Sequence, residues 1–323
     1  MEENSILHLS ISQEFMRRFF YENAERRMAV ELYEFLFWRR GKFLRPTEKT
    51  KIINRYVEEE IDNFSIQKLL NIPRLQFFLT NACTLRCREC NALIPDMLSG
   101  SSSVKQYFLS EDDFRRDLDF LKTAVSSIRH FIFLGGEPLL HRNIHNLISI
   151  ALQSGIISTI EIVTNGTVVP QKDTIEGIRK YKEHVFFRIS DYSANPELAA
   201  ILRHAELEFL LKKYGIRYQK TFMPWFRMHP AQVPQNDNVV RSVFRDCYMA
   251  RCVQVFDGKL AICPKASAMA AMGHCSPEKC GIIDLRHEQS LRDALIHFYE
   301  QDFFEVCRMC KGYGEEVLPG EQV

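Results

Sequence analysis

Of the ten cysteines in this 323-residue sequence, three crowd into one short run, Asn81-Ala82-Cys83-Thr84-Leu85-Arg86-Cys87-Arg88-Glu89-Cys90. Three soft thiolates at Cys-x3-Cys-x2-Cys spacing can wrap a single metal centre. On a four-iron cubane they leave one iron uncovered, open to an exogenous chelating ligand. The competing reading is a zinc knot, which needs a fourth ligand to close its tetrahedron. The nearest histidines, His130, His141 and His145, are distant in sequence, and only folding could bring one in.

Three further polar clusters could serve such a centre. In Leu134-Gly135-Gly136-Glu137-Pro138-Leu139, paired glycines let the backbone approach a ligand, and carbonyls plus a carboxylate suit a primary ammonium group. A tight strand-to-helix turn is the plainer reading. In Thr164-Asn165-Gly166-Thr167 and Ser190-Asp191-Tyr192, short hydroxyl and amide side chains could hydrogen-bond a ribose or a carboxylate, or could simply cap turns and helices. Asp191 and Tyr192 are the candidates to face a substrate and act in catalysis.

Elements must position these clusters. From Leu75 onward, short apolar runs alternate with amphipathic stretches of helical length, the pattern of repeated βα units on a parallel sheet. Strands are predicted at Leu75 to Thr80, His130 to Leu134, Thr159 to Val163, Val185 to Ile189 and Ile216 to Thr221, with helices near 111 to 125, 141 to 154, 172 to 182 and 197 to 213. Each polar cluster follows the C-terminal end of a strand, where parallel α/β barrels keep their active-site loops. The domain reading is therefore a helical extension over 1–72, whose aromatic stripes pack on the main domain, a partial barrel over 73–235, and a small metal-holding domain over 236–323. In the last, the βα alternation stops and seven cysteines recur among Gly, Pro and short apolar segments.

Composition narrows the partners. The 42 basic residues nearly cancel the 41 acidic ones, so no broad positive field exists to hold nucleic acid or an anionic membrane. No run approaches the ~20 apolar residues of a membrane span, and Met1-Glu2-Glu3-Asn4 does not open a signal peptide. A cytoplasmic location is expected. There, ten cysteines are better explained as thiolate ligands than as a disulfide framework.

Cys83, Cys87 and Cys90, placed after the first barrel strand, resemble the signature of the radical S-adenosylmethionine (radical SAM) superfamily. The resemblance covers roughly residues 73 to 315. It implies a partial (β/α)6 TIM-like barrel and a 4Fe-4S cluster whose open iron is chelated by S-adenosylmethionine. The cofactor's amino group would lie at Gly135, Gly136, Glu137 and Pro138, and its ribose or carboxylate near Asn165 and Ser190. The sequence departs from the family at Glu89, where an aromatic or apolar residue often packs near adenine. Cys247-x10-Gly258-x4-Cys263 followed by Cys307-x2-Cys310 resembles the auxiliary-cluster twitch domain, a shortened relative of SPASM, and implies a second 4Fe-4S cluster on Cys247, Cys263, Cys307 and Cys310. Zinc remains an alternative at that site, and Cys252 an alternative to Cys247. The left-over thiols, Cys252, Cys275 and Cys280, read as buried apolar-type groups.

The implied activity is reductive cleavage of S-adenosylmethionine to a 5'-deoxyadenosyl radical that abstracts hydrogen from a substrate. The partners it implies are a small-molecule substrate and a flavodoxin- or ferredoxin-type electron donor. An auxiliary cluster able to accept an electron favours dehydrogenation of a hydroxylated small molecule, such as a sugar or its nucleotide conjugate. Cys263-Pro264-Lys265-Ala266 and Asn91-Ala92-Leu93-Ile94-Pro95 are similar to family members encoded with polysaccharide biosynthesis genes. Two rivals stand beside this reading: a peptide-modifying maturase, and a non-catalytic iron-sulfur electron carrier.

Overall fold

The structure is a computed structural model that describes residues 69–230, 233–247, 249 and 252–323. The helical extension expected over 1–72 lies almost wholly outside the described residues. Alternating strands and helices then follow: β1 (Leu70–Phe78), the short α1 (Ile94–Met97), α2 (Glu111–Lys122), β2 (Val125–Leu134), α3 (Ile144–Gln153), β3 (Ile160–Thr164), α4 (Lys172–Arg179), β4 (Val185–Ser190), α5 (His204–Tyr214) and β5 (Arg217–Thr221). The strands β1 to β5 are parallel and neighbour one another in chain order.

Period-two alternation explains why these segments are strands. Phe77, Phe131, Phe133, Ile162 and Phe187 are buried under the helices, where Phe77 meets Phe114 of α2 edge-on at 5.1 Å between ring centroids. Fully burying one such ring contributes about 1.5–3 kcal/mol. The alternate positions of the same strands carry Gln76, His130, Glu161 and Arg188. Glu161 is buried and is engaged by both His130 and Arg188. Helix α2 is started by Ser110, whose hydroxyl accepts from the Asp113 N–H at 3.0 Å, and by three acids in its first turn, which complement the helix dipole.

Several boundaries differ from the sequence reading: β2 begins at Val125, five residues before the predicted His130, and α5 begins at His204 within the stretch 197 to 213 predicted as helix. Strand β1 begins at Leu70 and runs through Pro73, in a stretch that β7 does not reach, and there a missing N–H is tolerated. The remaining elements are β6 (Trp225–Pro230), α6 (Asp237–Asp246), β7 (Gln254–Phe256), β8 (Lys259–Ala261), α7 (Pro264–Ala271), α8 (Pro277–Cys280), β9 (Ile283–Asp284), α9 (Leu291–Glu300) and β10 (Cys310–Val317). Rather than standing apart, β7 lies parallel to β1 on its free side, and β8 and β9 extend the sheet antiparallel, giving the order β5-β4-β3-β2-β1-β7-β8-β9. The sixth parallel strand is thus β7. Val253 and Val255, each 1% exposed, join the helix-side core, which is what draws this segment in. Strands β6 and β10 pair separately and antiparallel.

One buried ion pair clamps the two parts of the chain. Asp117 of α2, fully buried, accepts from Arg286 at 2.7 and 3.2 Å. Among the described residues no helix is long and apolar enough to cross a membrane.

Candidate functional site

The cysteine loop is stitched in place before any cofactor is considered. The Thr80 hydroxyl donates to the Tyr107 carbonyl at 2.6 Å and accepts from the Ala82 N–H at 2.9 Å. Asn81 donates to the Lys105 carbonyl at 2.9 Å and accepts from the Tyr107 N–H at 2.7 Å. Both side chains are fully buried. Sequence reasoning passed over them, although two polar residues at the end of an apolar strand, just ahead of three cysteines, are the signal that could have found them.

Cys83 lies close enough to feel the charge of Cys90, and Cys87 the charges of both Cys90 and Cys83. Burial pushes Cys83 and Cys87 up to about 12 and raises Cys90 as well, so without metal the three are neutral thiols. Hydrogen-bond donors face their sulfurs: the Leu85 N–H on Cys83 at 3.4 Å, and the backbone N–H groups of Ala92, Leu93 and Ile94 on Cys90. Such donors suit thiolates bound to iron. Among the described residues, no group of three or more His, Cys, Asp or Glu side chains is arranged to hold a metal ion. Three soft thiols on one loop with hydrogen-bond donors turned to their sulfurs are a donor set that fits an iron-sulfur cluster.

The Gly-Gly-Glu-Pro loop lies against the cysteine loop. The Gly136 N–H donates to the Thr80 carbonyl and the Glu137 N–H to the Ala82 carbonyl, both at 2.8 Å. A side chain at Gly136 would collide with the Ala82 carbonyl, whose carbon lies 2.6 Å from the ideal Cβ position, and with Cys83 Cβ at 2.9 Å. The glycine is therefore required by the protein's own backbone, and not only by an approaching ammonium. Glu137 has a structural part that the sequence reading did not include. It is fully buried, with Oε1 accepting from the Leu139 N–H (3.0 Å) and the Thr164 hydroxyl (2.8 Å) and Oε2 from the Asn165 N–H (2.9 Å). The carboxylate fastens the loop after β2 to the loop after β3. Burial pushes it up to about 7 against these three bonds. Pro138 opens a single 3-10 turn.

Asn165 is turned toward the cysteine loop, its amide donating to Cys83 Sγ at 3.7 Å and to the Thr84 hydroxyl at 3.2 Å. Its carbonyl oxygen accepts from the Thr167 N–H and hydroxyl. Ser190 bonds Tyr192, which is half-buried, packs edge-on against Trp225 at 5.7 Å and feels the charges of Cys87, Cys90 and Cys83. Burial raises the Tyr192 phenol. The Asp191 carboxylate closes a turn, accepting from the Ser193 N–H at 3.0 Å. Its slight burial raises it, but the Ser193 bonds, Lys220 and His204 outweigh that and leave it below the usual carboxylate range. Glu89 reaches Arg227 of β6 at 3.5 Å, and Arg227 also holds Glu315 of β10. The unusual acid of the cysteine loop is thereby explained as a tether to the β6–β10 ribbon.

A second group of thiols forms around one small cavity, lined by Cys247, Cys263, Cys307 and Cys310 together with Met269, Val306 and Asn91, the neighbour of Cys90. The Cys263 sulfur caps α7, accepting from the Ala266 N–H at 3.4 Å. Burial pushes Cys307 up to about 12, and the Phe304 N–H partly opposes this. Cys263 is raised by burial too, with Cys307, Cys247 and Cys310 adding to the rise. Cys252 does not line the cavity: it is buried, and its sulfur accepts from Arg74 of β1 at 3.8 Å. Cys275 and Cys280 were expected as separate buried thiols. Instead they pair as a disulfide across α8, with Cα atoms 6.0 Å apart, because the turn into that helix brings positions five apart together.

Comparison with known proteins places the chain. Residues 77–218, which run from the end of β1 into β5 and include the cysteine, Gly-Gly-Glu-Pro, Asn165 and Ser190 loops, match the radical SAM superfamily model. GTP 3',8-cyclase of Syntrophomonas wolfei is 35% identical over 100 residues, covering 30% of this chain and 28% of that protein. The 7,8-dihydro-6-hydroxymethylpterin dimethyltransferase of Methanocaldococcus jannaschii is 27% identical over 185 residues, 56% of this chain and 34% of that protein. The chain therefore spans about a third of the length of these curated relatives. Among solved structures, anSMEcpe with bound AdoMet and the Cp18Cys peptide superposes with a TM-score of 0.48 at 12% identity, over 75% of this chain and 88% of that one. With the family model matched across the cysteine loop and the parallel strands that carry it, residues 77–218 form a radical SAM domain, and members of that superfamily use a 4Fe-4S cluster and S-adenosylmethionine.

Proposed function

We propose that this chain is a radical SAM oxidoreductase that dehydrogenates a hydroxylated small molecule, a sugar or its nucleotide conjugate. One observation carries the proposal: four half-buried thiols, Cys247, Cys263, Cys307 and Cys310, share a cavity whose wall includes Asn91, next to Cys90. Four thiolates saturate a cubane. A group held there would have no iron free for substrate and would stand beside the three-cysteine site, where it could accept an electron.

Cys83, Cys87 and Cys90 are the proposed ligands of the open-iron cluster, and the Gly135–Gly136 backbone and Asn165 the proposed neighbours of S-adenosylmethionine. When bound, these cofactors supply one-electron cleavage of the sulfonium and a carbon-centred radical that takes hydrogen from the substrate. The chain contributes positioning. Glu137 and Asn165 fix two rim loops against the cysteine loop, while Tyr192 and Trp225 form an apolar wall that excludes water from its flank. Asp191, ionised on the rim, is the proposed acceptor of the proton released when an alcohol becomes a carbonyl. Removal of two hydrogens would balance with the bound cofactors taking up one hydrogen atom and one electron, and Asp191 or solvent the remaining proton. An electron donor of flavodoxin or ferredoxin type would resupply the first cluster.

The test is anaerobic incubation of reconstituted protein with reductant, S-adenosylmethionine and panels of sugars, nucleotide sugars and peptides. A sugar-class compound should accelerate cofactor cleavage and appear as a product two hydrogens lighter. Acceleration by peptides alone would replace this reading with that of a maturase.

A further inference from the structure

The three thiols of the cysteine loop receive their hydrogen bonds from different places. Cys83 and Cys90 are served by backbone N–H groups close in sequence, with Asn165 added on Cys83. Cys87 is served otherwise. Beyond its own N–H, the donor on its sulfur is Nε2 of Gln322, 235 positions away, at 3.6 Å.

Gln322 arrives there on an extended segment that pairs with the loop. Cys87 and Gln322 form an antiparallel bridge. The Arg88 N–H donates to the Glu321 carbonyl at 2.7 Å and the Val323 N–H to the Arg86 carbonyl at 2.8 Å. An Arg88–Glu321 ion pair at 3.3 Å lies over the pairing. Upstream, the buried Asn195 donates to the Pro319 carbonyl at 3.1 Å. Gly320, at φ +71°, sits where a Cβ would meet Leu198 at 2.7 Å, so the segment is seated on the barrel rim as well. The orientation of the Gln322 amide is determined by its partners. The Arg86 N–H, a donor, points at one end at 2.7 Å, so that end must be Oε1 and the NH2 group must face Cys87 Sγ.

We propose that residues 319–323 are a built part of the three-cysteine site, and that Gln322 is a positioning residue whose amide fixes Cys87 and raises the reduction potential of the cluster bound there. The inference rests on Cys83, Cys87 and Cys90 being that cluster's ligands. A donor on a ligand sulfur withdraws negative charge, so it favours the reduced and more negative state of the cluster. The reduced state is the one from which the family's chemistry starts.

Two measurements test the proposal. In metal-free protein, the Arg88 and Val323 amides should be protected from hydrogen exchange, and Arg88 should exchange roughly tenfold faster or more in a variant ending at Leu318. Free exchange of these amides in the parent would overturn the docking. Gln322→Met keeps the backbone pairing and the side-chain length but lacks the donor. It should retain the parent's iron content and amide protection, while the cluster whose electron paramagnetic resonance signal responds to S-adenosylmethionine shifts to a more negative midpoint potential. An unchanged potential overturns the electronic role, and so does iron loss with amide protection intact, since Gln322 would then hold the ligand without tuning the cluster. Failure of the ligand assignment reads differently: Cys87→Ala would keep the responsive cluster.

Discussion

At the scale of single residues, Glu137 is the most exposed to test. It is a fully buried carboxylate whose oxygens meet three donors. Glu137→Gln turns an NH2 group toward at least one of them and should cost about 1–3 kcal/mol in denaturant unfolding. The pH dependence has a definite sign. Burial holds the folded carboxyl at about 7, above its ordinary 4.5, so its contribution is full below about pH 4.5 and is lost as pH rises through about 7. The stability of the parent minus that of Glu137→Gln should fall by up to about 3 kcal/mol between pH 4.5 and 8. A flat difference would refute the placement. Gly136 is a second case: Gly136→Ala should destabilise the metal-free protein by about 1–3 kcal/mol through its clash with Ala82, as thermal unfolding without cofactor would record. The sequence makes the Gly-Gly-Glu-Pro loop conspicuous as a place for a ligand's ammonium. It does not reveal that the glutamate is spent on Thr164 and Asn165, because a pairing between two loops leaves no local pattern.

At the scale of elements, the strands β1 to β5 are readable because a half-covered parallel strand writes its own alternation, as Val185, Phe187 and Ile189 do against Phe186 and Arg188. The helices are readable from caps and apolar spacing. Strand β7 is not: three residues carry too little pattern, and its place is set by pairing with Gln76 and Phe77 of β1. The polar positions of the strands make a prediction of their own. Glu161 is buried between Arg188 and His130; burial alone would raise its carboxyl, but the two basic groups prevail and hold it below the usual carboxylate range. Glu161→Gln removes the charge that both groups meet and should cost about 3–5 kcal/mol in urea unfolding near neutral pH. Because the folded carboxyl lies below 4.5, that contribution is present above about pH 4.5 and is lost as pH falls further. A cost below about 1 kcal/mol would mean the network is not load-sharing in solution.

At the scale of the whole molecule, the chain after Trp225 returns to the barrel repeatedly, with β7 on β1, Arg286 on Asp117 and Gln322 on Cys87 among its contacts. The count and spacing of the late cysteines were legible in the sequence, but which four would meet was supplied by likeness to the twitch domain. Cys275 and Cys280, which the sequence left as thiols, pair with each other. If Cys247, Cys263, Cys307 and Cys310 hold a second cluster, a folded Cys307→Ala, Cys310→Ala variant should lose about half of roughly eight irons, counting two four-iron clusters. It should still cleave S-adenosylmethionine and should form little oxidised product. Undiminished product from the iron-depleted variant would remove the electron-acceptor role. The central claim, that Cys83, Cys87 and Cys90 hold the cluster that cleaves the cofactor, is tested most directly by 5'-deoxyadenosine formation in anaerobic, dithionite-reduced protein given S-adenosylmethionine. The parent should form it above the protein-free background, and folded Cys87→Ala, with its second site intact, should not. Equal formation by the variant, or none by the fully reconstituted parent, would contradict the account.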